Sequence, residues 1–231
     1  MTGADLYGDL FERLAEARST QNIEDLSRMC GPFVVQPTPE FAAAHHRVLL
    51  VGQETNGWYT VEDILAPDKG LEEALFWYRD FALADKHPAS RSPFWSFHRK
   101  IAAGLGLDWR AVLWSNLVRF DGTQLNDRGS LVGHPSEPAL LDVQRGVLSS
   151  EIDGLRVDTV IFLTGPNYDH IIRDELGDIE FSAVGQYPVR HLAHVKHHGR
   201  RARMMRTYHP AYLRRTGLFD GVAEEIVHSC V

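Results

Sequence analysis

RVLLVGQETNGW, residues 47–58, decides how this chain is read. It begins as a short, almost purely apolar run from Arg47 to Val51, the pattern of a strand buried on both faces. It then turns polar. Gly52, Gln53, Glu54, Thr55, Asn56 and Gly57 put a carboxylate, two amides and two glycines at the end of a core strand. Turn chemistry accounts for Asn56-Gly57. It does not account for Gln53 and Glu54 beside them.

Three further runs resemble the first. Ala111–Ser115 and Val157–Leu163 are apolar, and Arg203–Thr207 is weaker but precedes a Tyr208-His209-Pro210 break. Helical periodicity fills the intervals. Leu6, Leu10, Leu14 and Ala17 mark a helix over 4–18, with Asn22–Met29 a possible second short one. Leu71–Ala84, Ser92–Leu105, Glu137–Ile152, Asn167–Leu176 and Phe219–His228 follow, with Ser92 as N-cap and Pro93 at the first helical position. Pro32–Pro39 reads as irregular. Alternating strands and helices predict an α/β fold with a mostly parallel sheet, in one domain over 1–231. Residues 179–201 fit poorly and read as a hairpin-like insertion.

With 44% hydrophobic and 24% charged residues, the chain can bury a core. A net charge of -7 does not point to nucleic acid, although a basic stripe can sit on an acidic protein. Two cysteines, Cys30 and Cys230, read as free thiols in a reducing cytoplasm. The acidic N-terminus, MTGADLYGDLFERL, does not look like a secretion signal. No apolar run approaches the roughly 18–20 residues of a membrane helix. A cytoplasmic monomer without a membrane partner is expected.

Ligands of open parallel sheets bind beyond the carboxyl ends of the strands. Those ends carry Gln53 and Glu54, then Asn116 followed by Arg119, then Thr164-Gly165-Pro166-Asn167, then His209. A glutamate can orient water or stabilise a cation, and a histidine can stabilise a leaving anion. An asparagine presents a donor and an acceptor side by side, which suits the edge of a base. The histidines at 191, 194, 197 and 198 have no spacing for a closed zinc site, so neither metal nor cofactor is expected.

Taken in order, these residues resemble the uracil-DNA glycosylase superfamily. Gly52-Gln53-Glu54 resembles its water-activating Gly-Gln-Asp-Pro-Tyr motif, and Val112–Asn116 its base-reading strand. Val160–Gly165 resembles the next strand, and Ser92-Pro93-Phe94 falls at a helix start of the family. Thr207–Leu213 resembles its His-Pro-Ser-Pro-Leu segment, and Gly217–Gly221 echoes a Gly-Phe-Phe-Gly run. Gly133-His134-Pro135-Ser136 matches His-Pro-Ser in letters, but it follows a long loop rather than a strand, and Ser136 reads as a helix cap.

The resemblance implies a three-layer α/β/α sandwich around a four-stranded sheet, and removal of uracil or a related damaged base from DNA after base flipping. It implies Glu54 as the acid that orients water and stabilises the sugar cation, and His209 as the group facing the departing base. Gly52, Gln53 and Asn116 would bind the base. Trp58, Tyr59, Phe76 and Trp77 are candidates to stack on it. Leu213 would wedge into the helix, and Arg206, Arg214 and Arg215 would meet the backbone. The chain departs from the family where Thr55-Asn56 replaces Pro-Tyr, the site of discrimination against methylated bases, and where Ala211 replaces a phosphate-contacting serine. A non-catalytic protein of this fold that binds nucleic acid or nucleotide is the alternative, and a hydrolase of small nucleoside-like molecules a third.

Overall fold

Val48, Leu49, Leu50 and Val51 have no exposed surface, and burial of such a side chain contributes about 1.5–3 kcal/mol. They form the centre of a sheet. The computed structural model describes residues 3–20, 26–67, 69–83, 91–122, 130–132 and 136–230. Strand β1 (Val48–Glu54) pairs in parallel with β2 (Val112–Val118) on one side and β3 (Thr159–Phe162) on the other. A hairpin of β4 (Ile179–Ala183) and β5 (Leu192–His197) precedes β6 (Arg203–Thr207), which is parallel to β3. The order is β2-β1-β3-β6-β5-β4, with β5 antiparallel to β6.

The fold is α/β, but the expected four-stranded sheet is corrected to a six-stranded, mixed one. The segment read as an insertion joins the sheet because the free edge of β6 offers unpaired backbone groups that β5 satisfies. Strands β1 and β2 also run longer than expected. Gly52, Gln53, Glu54 and Asn116 lie within them, because Gly52 pairs with Asn116 and Glu54 with Val118.

The helices are α1 (Gly3–Thr20), α2 (Pro39–Ala43), α3 (Val61–Ile64), α4 (Leu71–Leu83), α5 (Pro93–Gly104), α6 (Glu137–Gln144), α7 (Val147–Gly154), α8 (Asp169–Leu176), α9 (Pro210–Arg215) and α10 (Phe219–Cys230). The single helix expected over 137–152 is two, because Gly146 turns left-handed at φ 82° between them. Of the Asn22–Met29 helix, Leu26–Arg28 form one 3-10 turn, and residues 22–25 lie outside the described residues. So do Gly133, His134 and Pro135, while Ser136 precedes α6 without a side-chain cap bond. Leu6, Leu10, Leu14 and Ala17 are buried as one face of α1. Cys30 and Cys230 are buried and form no disulfide. Among the described residues no helix is long and apolar enough to cross a membrane.

Behind β2 lies a buried polar cluster. Arg119 and Glu151, both no more than 1% exposed, form a two-pronged ion pair at 2.8 and 2.7 Å. Tyr7 (2.6 Å) and Ser115 (3.0 Å) donate to the same carboxylate. Arg119 also donates to the Phe33 carbonyl at 2.9 Å, tying down the irregular segment that flanks β2.

His98, on α5, is buried and held by a 2.8 Å bond between Nε2 and the Val112 carbonyl. Burial pushes its pKa down from 6.5 to about 4, despite that bond. The unfolded chain therefore binds an extra proton between pH 6.5 and 4. Stability present above pH 6.5 is lost as pH falls toward 4, at up to about 1.4 kcal/mol per pH unit. His98→Gln, which keeps a donor for Val112, is expected to flatten that part of the profile. Urea melts at pH 7, 5.5 and 4.5 test it, and equal slopes for variant and wild type would refute it.

Candidate active site

β1 stays paired with β2 as far as Glu54, but with β3 only as far as Val51. The split opens where the chain, having placed β2 on one side of β1, places β3 on the other, which is where open α/β sheets bind ligands. A cleft of about 710 Å³ occupies it, and Gly52, Gln53, Glu54, Asn116 and His209 all line it.

Each of these side chains is held differently. Gln53 reaches across the split and donates to the Thr164 carbonyl at 2.9 Å. Asn116 faces Gly52 across the ladder, and a Cβ at Gly52 would collide with its Oδ1. The glycine thus makes room for the amide as well as for a ligand. Asn116 is 8% exposed, and its side-chain amide lines the cleft.

Glu54 is gripped from three sides. Tyr168 Oη donates to Oε1 at 2.5 Å, Ser130 Oγ to Oε1 and Oε2 at 2.9 and 3.1 Å, and the Leu131 amide to Oε2 at 2.7 Å. A carboxylate has about four acceptor sites, so roughly one remains for water or ligand. Burial, and then the Glu54 carboxylate itself, keep the Tyr168 hydroxyl protonated well above its ordinary range. Tyr168 sits in the 3-10 turn Pro166–Tyr168 after Gly165 (φ 75°), whereas Asn167 faces solvent.

His209 caps α9, with Pro210 at its first position. Its Nδ1 accepts the Ala211 amide at 3.2 Å, so a neutral ring carries its proton on Nε2. Burial pushes its pKa below 6.5, which keeps it neutral near pH 7. The Phe94 ring lies nearly parallel to it, at 6.3 Å and 24°.

The aromatic candidates separate. Trp58 lines the cleft, packed at 5.3 Å on Phe33 and 5.7 Å on Phe81. Tyr59 is buried outside the cleft, with its hydroxyl on the Pro32 carbonyl. Phe76 and Trp77 are exposed on α4 and do not line the cleft, although Trp77 touches Trp58 edge-on at 6.3 Å. Phe33, Phe81, Phe94, Trp95 and Trp114 complete the aromatic wall, and none had been singled out as a stacking ring. Trp114 was legible, since it lies two residues before Asn116 in one strand and so shares its face. Phe33 and Tyr168 carry no such local signal. The unaligned residues form a turn, with Thr55 buried against Val118, Gly57 at φ 65° and its amide on the Asp121 carboxylate at 2.8 Å.

Two of the four DNA-contact candidates, Leu213 and Arg206, point inward. Leu213 is fully buried and has no surface to insert into a base stack, because the first turns of α9 press it into the core. Arg206 is 1% exposed and is paired with Asp169 at 2.9 and 3.1 Å. Arg214 and Arg215 are exposed. Among the described residues no histidine, cysteine and carboxylate group forms a metal site. No family model matches the sequence, and comparison with curated proteins finds no match.

Proposed function

We propose that the protein hydrolyses the N-glycosidic bond of uracil or a related damaged base flipped out of DNA, as a divergent, cytoplasmic relative of the uracil-DNA glycosylases with their three-layer architecture. The observation that carries this reading is the Asn116 amide, which lines an aromatic-walled cleft together with Glu54 and His209. A planar ring with a neighbouring donor and acceptor on one edge is the ligand that pairs with both ends of an amide. Glu54 and the Nε2–H of His209 border the same cleft. As the bond from C1′ to the base nitrogen breaks, the electron pair leaves with the base, where the His209 N–H stabilises the anion. Glu54 stabilises the sugar cation and uses its remaining acceptor site to hold the water that adds to C1′. The carboxylate takes the proton that this water gives up and passes it on to the departed base anion, leaving free base and a C1′ hydroxyl.

One observation favours the non-catalytic alternative. Three protein donors already occupy most of the Glu54 carboxylate, as they would in a latch that fixes Ser130 and Leu131. The two readings separate on turnover. The enzyme reading expects release of free base from single- or double-stranded oligonucleotides carrying uracil or other deaminated or oxidised bases. Tight oligonucleotide binding with no release on any of them would leave only the binding protein.

A further inference from the structure

The basic residues near His209 divide sharply. Arg200 pairs with Asp153 at 2.6 Å, Arg203 donates to the Ser229 and Cys230 carbonyls, and Arg206 pairs with Asp169. Arg190, Arg214 and Arg215 are exposed and have no carboxylate partner among the described residues. Arg190 comes from the connection between β4 and β5, the stretch whose role the sequence leaves open. Its Nε donates to the Tyr208 hydroxyl at 2.8 Å, beside His209 in the chain. The Tyr208 ring stacks on Tyr212 at 4.1 Å and 26°, and Arg215 covers Tyr212 at 5.3 Å. The result is a continuous row, Arg190–Tyr208–Tyr212–Arg215, joined through Tyr208 to the chain position next to His209, which lines the cleft.

The row is built rather than loose. Arg206 donates to the Arg190 carbonyl at 3.0 Å and Thr207 to the His191 carbonyl at 2.9 Å, so the end of β6 clamps the hairpin connection. On its other side Tyr208 rests against Gly165, where a Cβ would come within 3.1 Å of the ring. Arg190 spends its Nε on a neutral phenol. The rest of its guanidinium is left to form the paired donors that match two phosphate oxygens.

We propose that the β4–β5 hairpin is part of the substrate-binding surface, and that Arg190, with Arg215, grips backbone phosphates of the strand whose base enters the cleft. This rests on the glycosylase reading above. It gives the hairpin a function, and it explains why a chain of net charge -7 exposes Arg190 and Arg215 without carboxylate partners among the described residues.

The test is fluorescence anisotropy across a salt series, with labelled oligonucleotides carrying a reduced abasic site that cannot be processed. Arg190→Gln is expected to lower the slope of log affinity against log salt by about 0.7 on single strands or 0.9 on duplex. Tyr208→Phe, which keeps the charge and removes the bond, is expected to leave the slope unchanged. An unchanged slope in Arg190→Gln overturns the proposal. So does an equal loss in Tyr208→Phe, since Arg190 would then act only by holding Tyr208. Absence of salt-dependent binding by the wild type also overturns it. Base release by the same preparation then shows whether the glycosylase reading survives.

Discussion

Glu54→Gln is expected to reduce base release by about 10²–10⁴-fold, the range for removing a group that activates water or moves a proton in the transition state. The substitution is nearly isosteric. The amide oxygen can keep the Leu131 N–H, which only donates, and the new NH₂ can face Tyr168, whose hydroxyl can turn and accept. The fold should therefore survive with the carboxylate charge gone. Tyr168→Phe keeps the charge and removes one charge-assisted bond, so a smaller fall, on the order of tenfold, is expected in kcat with KM little changed. Single-turnover release from a uracil-containing oligonucleotide measures both, with thermal melts as a control. If Glu54→Gln lowers the melting temperature while release persists, Glu54 is the latch of Ser130 and Leu131 and not the catalyst.

Glu151→Ala is expected to destabilise the protein by about 3–5 kcal/mol, because it leaves the Arg119 guanidinium charged and buried without a counter-ion. Tyr7 and Ser115 lose an acceptor at the same time. For a chain of this size each kcal/mol is worth about 2–4 °C, so the melting temperature should fall by roughly 6–20 °C. The Phe33 carbonyl is held by Arg119, so the aromatic wall of the cleft should loosen too. Replacing both partners, Arg119→Met with Glu151→Leu, should recover much of the loss, since the cost lies in the orphaned charge. A single variant as stable as wild type would show that water reaches Arg119.

Much of this molecule is legible locally. An apolar run such as Val48–Val51 must be covered on both faces, and Ser92-Pro93 starts a helix because Ser92 accepts the Trp95 amide. Gly146 was overlooked because the apolar pattern continues across it, and only its left-handed backbone breaks the helix. The mixed sheet was missed for another reason. Residues 179–201 read as a hairpin, and β4 and β5 do form one, but only the edge of β6 decides that this hairpin extends the central sheet.

By itself the sequence determined the α/β class, the parallel core of the sheet, and the concentration of Gln53, Glu54, Asn116 and His209 at strand ends. Those properties depend on residues a few positions apart, through side-chain alternation, helical periodicity and caps. Tertiary structure alone decided that Gly52 makes room for Asn116, that Tyr168, Ser130 and Leu131 hold Glu54, that Phe33 helps wall the cleft, and that Leu213 and Arg206 turn inward. Each is a contact between residues distant in the chain or a choice of face made by packing. Such pairs are fixed by register and burial, which no short window of sequence contains.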